Sequence, residues 1–348
     1  MGGEGRERLM RRPPAVARVL ERVTRTARDH EMFRPGDTVL VACSGGPDST
    51  CLLYSTQFLR RLFKVRVEVF HFDHRLRPGS EKDAQYTRRL AARLKLPFHE
   101  RVAEDRPRKG DSVEAWATVA RMNAANGVRE SIGARMVAEG HTLDDQAETV
   151  LLNLIRGGGL EAVTGIWPGG GDSGLAQPLI DVEREEVEAF CRALHLRPRR
   201  DPTNRDPRHL RNAIRLEVFP AIERATGREI NRPIARSAGL LQEDRMELYA
   251  SAIHSMKQVV SGPRNALRFD AMALRSLPKA IASRVVRLAL YNIAETDRAV
   301  PSTREAVEAV LDLAEGRPGR RRDLPNGLKA RRDREYVSVS RTSPESRV

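Results

Sequence analysis

The run "SGGPDS" at residues 44–49 sets two glycines, a carboxylate and two hydroxyls between an apolar β-branched stretch, "TVLVAC" (38–43), and "STCLLYSTQFLRRL" (49–62). Glycines at a strand-to-helix turn let backbone N–H groups approach an anion, and the helix start adds unpaired amides and a positive dipole end. The loop lacks the lysine with which a G-x-x-x-x-G-K-S/T loop neutralises the β and γ phosphates. Ser44, Gly45, Gly46, Pro47, Asp48 and Ser49 are therefore candidates to hold a polyphosphate by backbone and hydroxyl alone. The plainer alternative is a tight turn with Ser49 as helix N-cap. Asp48 then has two readings: a charge favoured by the helix dipole, worth about 0.3–1 kcal/mol, or a metal or phosphate function.

Two further groups carry chemistry. Asp144, Asp145 and Glu148 lie in "EGHTLDDQAETVLLNLIRG" (139–157), where i, i+3 and i, i+4 spacing puts them on one helical face. Thr142 and Asp145 also read as a capping box, which uses one carboxylate locally and leaves the other two unexplained. Carboxylates beside a polyphosphate repel it unless a cation intervenes, and both an ammonium and Mg²⁺ qualify. His71 and His74 flank Asp73 at the end of "VRVEVFHF" (65–72). Histidines at that spacing suggest a metal, but no third ligand is evident nearby. Arg121 follows Glu114 on one helix, and Arg208, Arg211 and Arg215 sit on or near another, where a solvated basic face is the alternative.

These residues need a scaffold. Strands at 38–43, 65–72, 97–104 and 134–141 alternate with helices at 49–62, 84–94, 112–132 and 143–157. That alternation predicts an α/β fold with a doubly wound parallel sheet, whose ligands bind at the C-terminal ends of the strands. Helices are expected at 15–28 and at 184–195, and 199–222 reads as a Pro/Asn/Asp turn running into a basic helix. After about residue 226 the pattern is helical and ends in a short β-like tail, "YVSVS" (336–340). Ser302 and Glu305 read as a capping box, with Gly316 as the stop. The expected division is an N-terminal extension with a helix (1–36), an α/β domain (37–225) and a smaller helical C-terminal domain (226–348).

Lys and Arg total 61 against 47 Asp and Glu in 348 residues, a formal charge of +14. That excess favours a polyanionic partner, nucleic acid above all. The basic runs Arg320–Arg322 and Lys329–Arg334 are read as charged turns that could touch it. Cys43, Cys51 and Cys191 form no C-x-x-C pair, which argues against a zinc ribbon, a cysteine-held cluster or a disulfide framework. No apolar run reaches the roughly 18 residues of a membrane span. The Arg-rich start carries Glu4, Glu7, Glu21 and Asp29 without an apolar stretch, so it reads as neither signal nor transit peptide, and the cytosol is expected.

The S-G-G-x-D-S loop after the first strand resembles the PP-loop of N-type ATP pyrophosphatases, whose fold is Rossmann-like. That resemblance implies that the loop holds the β and γ phosphates as leaving pyrophosphate, with Asp48 near Mg²⁺, while an acceptor oxygen takes the AMP. "HFDHRLRPGSEKD" (71–83), "EGHTLDDQAETVLLNLIRGGGLEAVTGI" (139–166) and "DPTNRDPRHLRNAIR" (201–215) together resemble the tRNA(Ile)-lysidine synthetases, from about Val39 to Ile222. The implied reaction adenylates the wobble cytidine of a tRNA(Ile) with a CAU anticodon. Free L-lysine then displaces AMP to give lysidine.

The resemblance also implies residue functions. ATP would meet the loop with His71, His74 and His141, and lysine would meet Asp145 and Glu148. Asp48, Arg121, Asp145, Glu148 and Arg211 would be catalytic. Arg75, Arg77, Arg208, Arg211 and Arg215 would meet tRNA. Where the family has E-x-x-x-R-x-x-R-Y, this chain keeps Glu114 and Arg121 but has Thr118 and Met122. Little chain is left for the second C-terminal domain of longer members. Two rival readings are a PP-loop tRNA thiolation enzyme, which generally needs paired cysteines, and a non-catalytic basic RNA-binding protein.

Overall fold

The computed structural model describes residues 12–76, 79–108, 110, 112–199, 206, 208–263, 265–293 and 303–341. The chain divides into two compact units, Met1–Gly239 and Leu240–Val348.

In the first unit the expected alternation is realised: β1 (Thr38–Ala42), α2 (Pro47–Phe63), β2 (Arg66–Asp73), α3 (Glu81–Leu94), β3 (Phe98–Val102), α4 (Val113–Ser131), β4 (Met136–Ala138), α5 (Leu143–Ile155), a short α6 (Leu160–Val163), β5 (Leu175–Ala176) and α7 (Arg184–Ala193). The strands run parallel in the order β3-β2-β1-β4-β5. Val39, Leu40 and Val41 are wholly buried, as a central strand covered on both faces requires. Chain connections leave β1 in one direction and return through β4 on its other side. The crevice between β1 and β4 is therefore the topological switch point, where such sheets bind ligands.

The helix of the N-terminal stretch packs into this unit. Helix α1 (Pro14–Asp29) buries Val16, Val19, Leu20, Val23 and Ala27, a stripe at helical spacing, in the core that also holds β1, α2 and α7. Each fully buried Val or Leu contributes about 1.5–3 kcal/mol. Thr26 Oγ1 bonds Asp181 Oδ2 at 2.6 Å and Arg22 pairs with Glu186 at 3.2 Å, fixing the segment that leads into α7.

The expected basic helix runs without a break over 210–226 and contains a π-turn: α8 (Leu210–Ala213), the π-turn (Ile214–Val218) and α9 (Phe219–Thr226). Pro220 has no N–H to offer the carbonyl four residues back, so the hydrogen-bond ladder changes step just ahead of it. Gly227, at φ +67°, closes α9. The division between units falls further on, inside the long helix α10 (Asn231–Val259).

The second unit is less helical than its sequence suggests. It has α11 (Ala271–Ser276), α12 (Lys279–Ile293) and α13 (Arg304–Glu315). It also has a five-stranded antiparallel sheet of β6 (Val260–Ser261), β7 (Ala266–Asp270), β8 (Arg321–Leu324), β9 (Leu328–Arg332) and β10 (Tyr336–Arg341), ordered β6-β7-β10-β9-β8. The expected β-like tail is thus the central strand. Most of the runs read as basic turns are strand residues, with Arg320 and Arg334 just outside: Leu328, Ala330 and Arg332 point inward while Lys329 and Arg331 point out. Helix α13 is capped by Thr303, whose side chain accepts from the Ala306 amide at 3.3 Å. Ser302, expected as the cap, lies outside the described residues.

Candidate active site

The phosphate loop is built by local rules. Gly45 sits at φ +89°, and a Cβ there would lie 3.2 Å from the Tyr86 ring, so only glycine fits without strain. Gly46 is the N-cap of α2 and Pro47 opens the helix, the position where a missing N–H costs nothing. Ser49 Oγ accepts from the Ser44 amide at 3.1 Å, meets Ser44 Oγ at 3.1 Å and donates to the Gly46 carbonyl at 3.2 Å. The turn is thus held from within. The amides of Asp48 and Ser49, which a helix start cannot pair internally, are left for a ligand. Arg199 braces the loop from outside, its amide on the Gly45 carbonyl at 2.9 Å and its Nε on Asp83 at 2.7 Å.

Gly140 brings the β4–α5 loop onto this turn. A Cβ at Gly140 would meet the Asp48 carbonyl at 3.2 Å and the Ser49 amide at 3.3 Å. Loops leaving the adjacent strands β1 and β4 therefore touch, which sets Asp48 within electrostatic reach of Asp145 and Asp144.

The acidic triplet of α5 is met by three arginines. Thr142 and Asp145 form the expected capping box, with Asp145 Oδ2 accepting from the Thr142 amide at 2.9 Å. Asp145 Oδ1 accepts from Arg184 at 3.2 Å and Arg211 at 3.3 Å. Glu148 is 1% exposed and takes Arg215 at 2.6 and 2.7 Å, Arg211 at 2.8 Å and Arg184 at 3.5 Å. Asp144 accepts from the Arg184 amide at 2.7 Å and from Asn231 Nδ2 at 3.0 Å. Burial alone would raise the Asp145 carboxyl, but Arg184 and Arg211 overcome it and hold it below its ordinary value. Asp48 shifts the other way, to about 6, because it is buried and beside Asp145, with Arg184 and Arg215 opposing.

Arg184 was not singled out from the sequence. Its partners lie 36 to 40 residues away in the chain, a separation that no local pattern encodes. One signal existed: an arginine on the first residue of a helix opposes the macrodipole, and such a placement needs nearby anions to offset it.

A second polar chain lines β4. Arg121 pairs with Glu139 at 3.3 Å, Gln177 donates to Glu139 at 3.2 Å, and His141 Nδ1 meets Gln177 Oε1 at 3.0 Å. His71 is buried with Nδ1 on the Cys43 carbonyl at 2.8 Å. A carbonyl only accepts, so Nδ1 is the donor of this bond. His74 packs edge-on against Phe72 and Trp116, and burial with Arg121 nearby lowers it to about 4, so it is neutral near pH 7.

The remaining arginines separate. Arg211 and Arg215 join the carboxylates. Arg208 is exposed and paired with Asp206 at 2.6 Å. Arg75 is exposed, at φ +50°, with its amide on Asp73 at 2.9 Å. Arg77 lies outside the described residues, as does most of the 201–207 segment.

Mg²⁺ demands octahedral oxygen ligands and commonly takes one or two carboxylates plus substrate phosphates. Asp48 Oδ1 is buried and has no hydrogen-bond partner. No group of three or more potential ligands occurs among the described residues. One unpaired carboxylate oxygen beside a phosphate loop fits a magnesium held largely by phosphate. Cys43, Cys51 and Cys191 are free and buried, and burial raises all three thiols, which disfavours reactive thiolates.

The PP-loop domain family matches residues 16–222. A tRNA(Ile)-lysidine synthase of Thermobifida fusca is 36% identical over 323 residues, covering 89% of this chain and 96% of that protein. Those of Symbiobacterium thermophilum and Caldanaerobacter subterraneus are 36% and 33% identical over 91% and 90% of this chain, and 67% of each relative's length. Among solved structures, the U34-tRNA thiolase NcsA of Methanococcus maripaludis, with its 4Fe–4S cluster, aligns at a TM-score of 0.55 and 16% identity over 66% of this chain and 79% of that one. That likeness shows a shared fold. With identity near one third sustained over nine-tenths of its length, the chain belongs to the tRNA(Ile)-lysidine synthase family, and its first unit carries the PP-loop domain.

Proposed function

We propose that this protein is an ATP-dependent ligase that adenylates the wobble cytidine of a tRNA(Ile) with a CAU anticodon and joins free L-lysine to it, forming lysidine. The observation that carries the reading is the meeting of two loops at the β1/β4 switch point. One is a phosphate loop with an unpaired carboxylate oxygen on Asp48, the other leads into the carboxylate cluster on α5.

Residues follow from position. Ser44, Gly45, Gly46 and Ser49 would hold the β and γ phosphates through the loop and the first amides of α2. Asp48 would hold Mg²⁺, which when bound neutralises the leaving pyrophosphate. Arg121, placed by Glu139, would offset charge on the α phosphate. His71, His74 and His141 stand as neutral or hydrogen-bonding groups at the nucleotide. Asp145 and Glu148 would receive the lysine amine. Arg75, Arg77 and Arg208 are the arginines left for tRNA. The implied compartment is the cytosol, where free thiols persist. No described helix is long and apolar enough to cross a membrane. A sulfur-transfer activity finds little support in three buried thiols.

The deciding experiment measures pyrophosphate release with tRNA and lysine each omitted in turn. Release should require a tRNA with a wobble cytidine, and AMP release should require lysine as well. Equal pyrophosphate release without RNA would remove the RNA acceptor from the reading.

Binding of tRNA should also weaken steeply with salt, because a +14 chain contacts phosphates by releasing counterions. Between about 50 and 200 mM salt, four phosphate contacts cost roughly 100-fold in affinity. A change below about threefold would rule out a phosphate-tracking surface.

A further inference from the structure

The carboxylate pair assigned above to the lysine amine is already filled. Glu148 is chelated by Arg215 through Nε and Nη2 at 2.6 and 2.7 Å and bonded by Arg211 at 2.8 Å. Asp145 is shared between its own cap, Arg184 and Arg211. Asp144, Asp145 and Glu148 thus face Arg184, Arg211 and Arg215, charge for charge. An ammonium aimed at Glu148 finds both carboxylate oxygens already bonded, and one guanidinium has to leave first.

The three arginines are not equally free to do so. Arg184 is anchored twice, its amide on Asp144 and its guanidinium on Asp145 and Glu148. Arg211 also bonds the Asp145 carbonyl and Thr149 Oγ1, at 3.3 and 3.4 Å. Among the described residues Arg215 bonds Glu148, with Asp145 Oδ1 at 3.8 Å, and nothing else. It springs from the π-turn, and its partner Glu148 lies on α5, whose leading loop touches the phosphate loop at Gly140.

We propose that Arg215 is the gate of the amine site: its guanidinium occupies the ammonium seat on Glu148 until the polyphosphate of bound ATP draws it away, so that lysine binds after ATP. The inference rests on the lysine reading of Asp145 and Glu148. Its physical basis is exchange of partners. Parting a half-buried guanidinium from a buried carboxylate is unfavourable, so lysine alone displaces it poorly. A phosphate group offers the planar fork an equivalent bidentate seat, and the vacated carboxylate then takes the ammonium. The order would keep lysine from the site before there is an activated nucleotide to attack.

The test is equilibrium binding of labelled L-lysine to the full chain, with and without α,β-methylene ATP and Mg²⁺. The wild type should bind lysine at least about tenfold more tightly with the analogue. Arg215→Gln should bind lysine without nucleotide nearly as tightly as the wild type does with it, so that the nucleotide effect shrinks. Arg215→Lys, a single ammonium in place of the fork, should lie between. Equal lysine affinity of the wild type in both states overturns the gate, and this arm needs no variant to fold. Weaker lysine binding by Arg215→Gln in both states also overturns it, because the guanidinium would then support the seat rather than fill it. Absence of saturable lysine binding in every state, with AMP–tRNA still formed, overturns the lysine reading itself.

Discussion

Asp48→Ala is expected to lower tRNA adenylation by about 10³-fold or more, while tRNA affinity stays within about threefold. The magnitude follows from what one carboxylate does at a phosphate site: losing a single preorganised charge-stabilising group costs about 10²–10³ in rate, and a lost metal contact adds several kcal/mol. The selectivity follows from placement. Asp48 lies on the first turn of α2, buried against the β4–α5 loop, with its unpaired Oδ1 directed to no protein group. Single-turnover pyrophosphate release and a tRNA filter assay separate the two effects. Collapse of tRNA affinity with adenylation preserved would overturn the loop assignment.

The same residue sets a pH dependence whose sign can be worked out. Burial and Asp145 raise the Asp48 carboxyl from 3.8 to about 6. Phosphate and metal chemistry needs the carboxylate, so adenylation should fall as pH drops through about 6. An acid whose folded value is raised costs the fold nothing below its unfolded value and destabilises it once ionised. The destabilisation from Asp48 therefore builds up as pH rises from about 4 to about 6. Asp48→Asn should then melt above the wild type near pH 7 while being inactive, and the difference should vanish near pH 4. A variant less stable than the wild type at both pH values would show that Asp48 is a structural cap rather than a group held ready for ligand.

How much of this was legible beforehand depends on the range of each interaction. The phosphate loop was readable because its cause is local: a β-branched run, two glycines, then a helix start. The strand–helix alternation to residue 157 was readable for the same reason, since each element carries its own period. The carboxylates of α5 were readable as a face, but their partners were not. Arg184 and Arg215 reach Glu148 across 36 and 67 residues, and a helix period says nothing about which helix lies opposite. Arg215 in particular read as a base for RNA, because a sequence shows charge and not the carboxylate that quenches it. In the second unit the strands were masked by arginine. β9 alternates inward Leu328, Ala330 and Arg332 with outward charges, so period two is present. Arginine at both kinds of position hides the apolar contrast that strand recognition relies on.

Glu148→Gln should damage both the fold and the second half-reaction, and the two losses can be told apart. Glu148 is buried beneath guanidiniums that reach it from α7 and from the α8 to π-turn segment. Removing its charge leaves Arg211 and Arg215 sharing Asp145 with Arg184, and breaking one partner out of a buried ion pair costs about 3–5 kcal/mol. Urea unfolding should show that loss. Glu148→Gln combined with Arg215→Gln removes one charge of each sign and should recover about 1–3 kcal/mol, the usual coupling between contacting residues. On the chemistry, charge-assisted hydrogen bonds to a cation contribute about 1.5–3 kcal/mol, so the lysine requirement should rise about tenfold or more. Adenylated tRNA should accumulate, visible by rapid quench with labelled AMP at a temperature where the variant is folded. If the carboxylates served Mg²⁺ instead, the variant would fail before AMP transfer, and added Mg²⁺ rather than lysine would restore it. If Glu148 only held arginines in place, the double variant would regain stability and both half-reactions together. Recovery of stability without recovery of lysine transfer is the result expected of a carboxylate that holds the arginines in the resting enzyme and receives the amine during turnover.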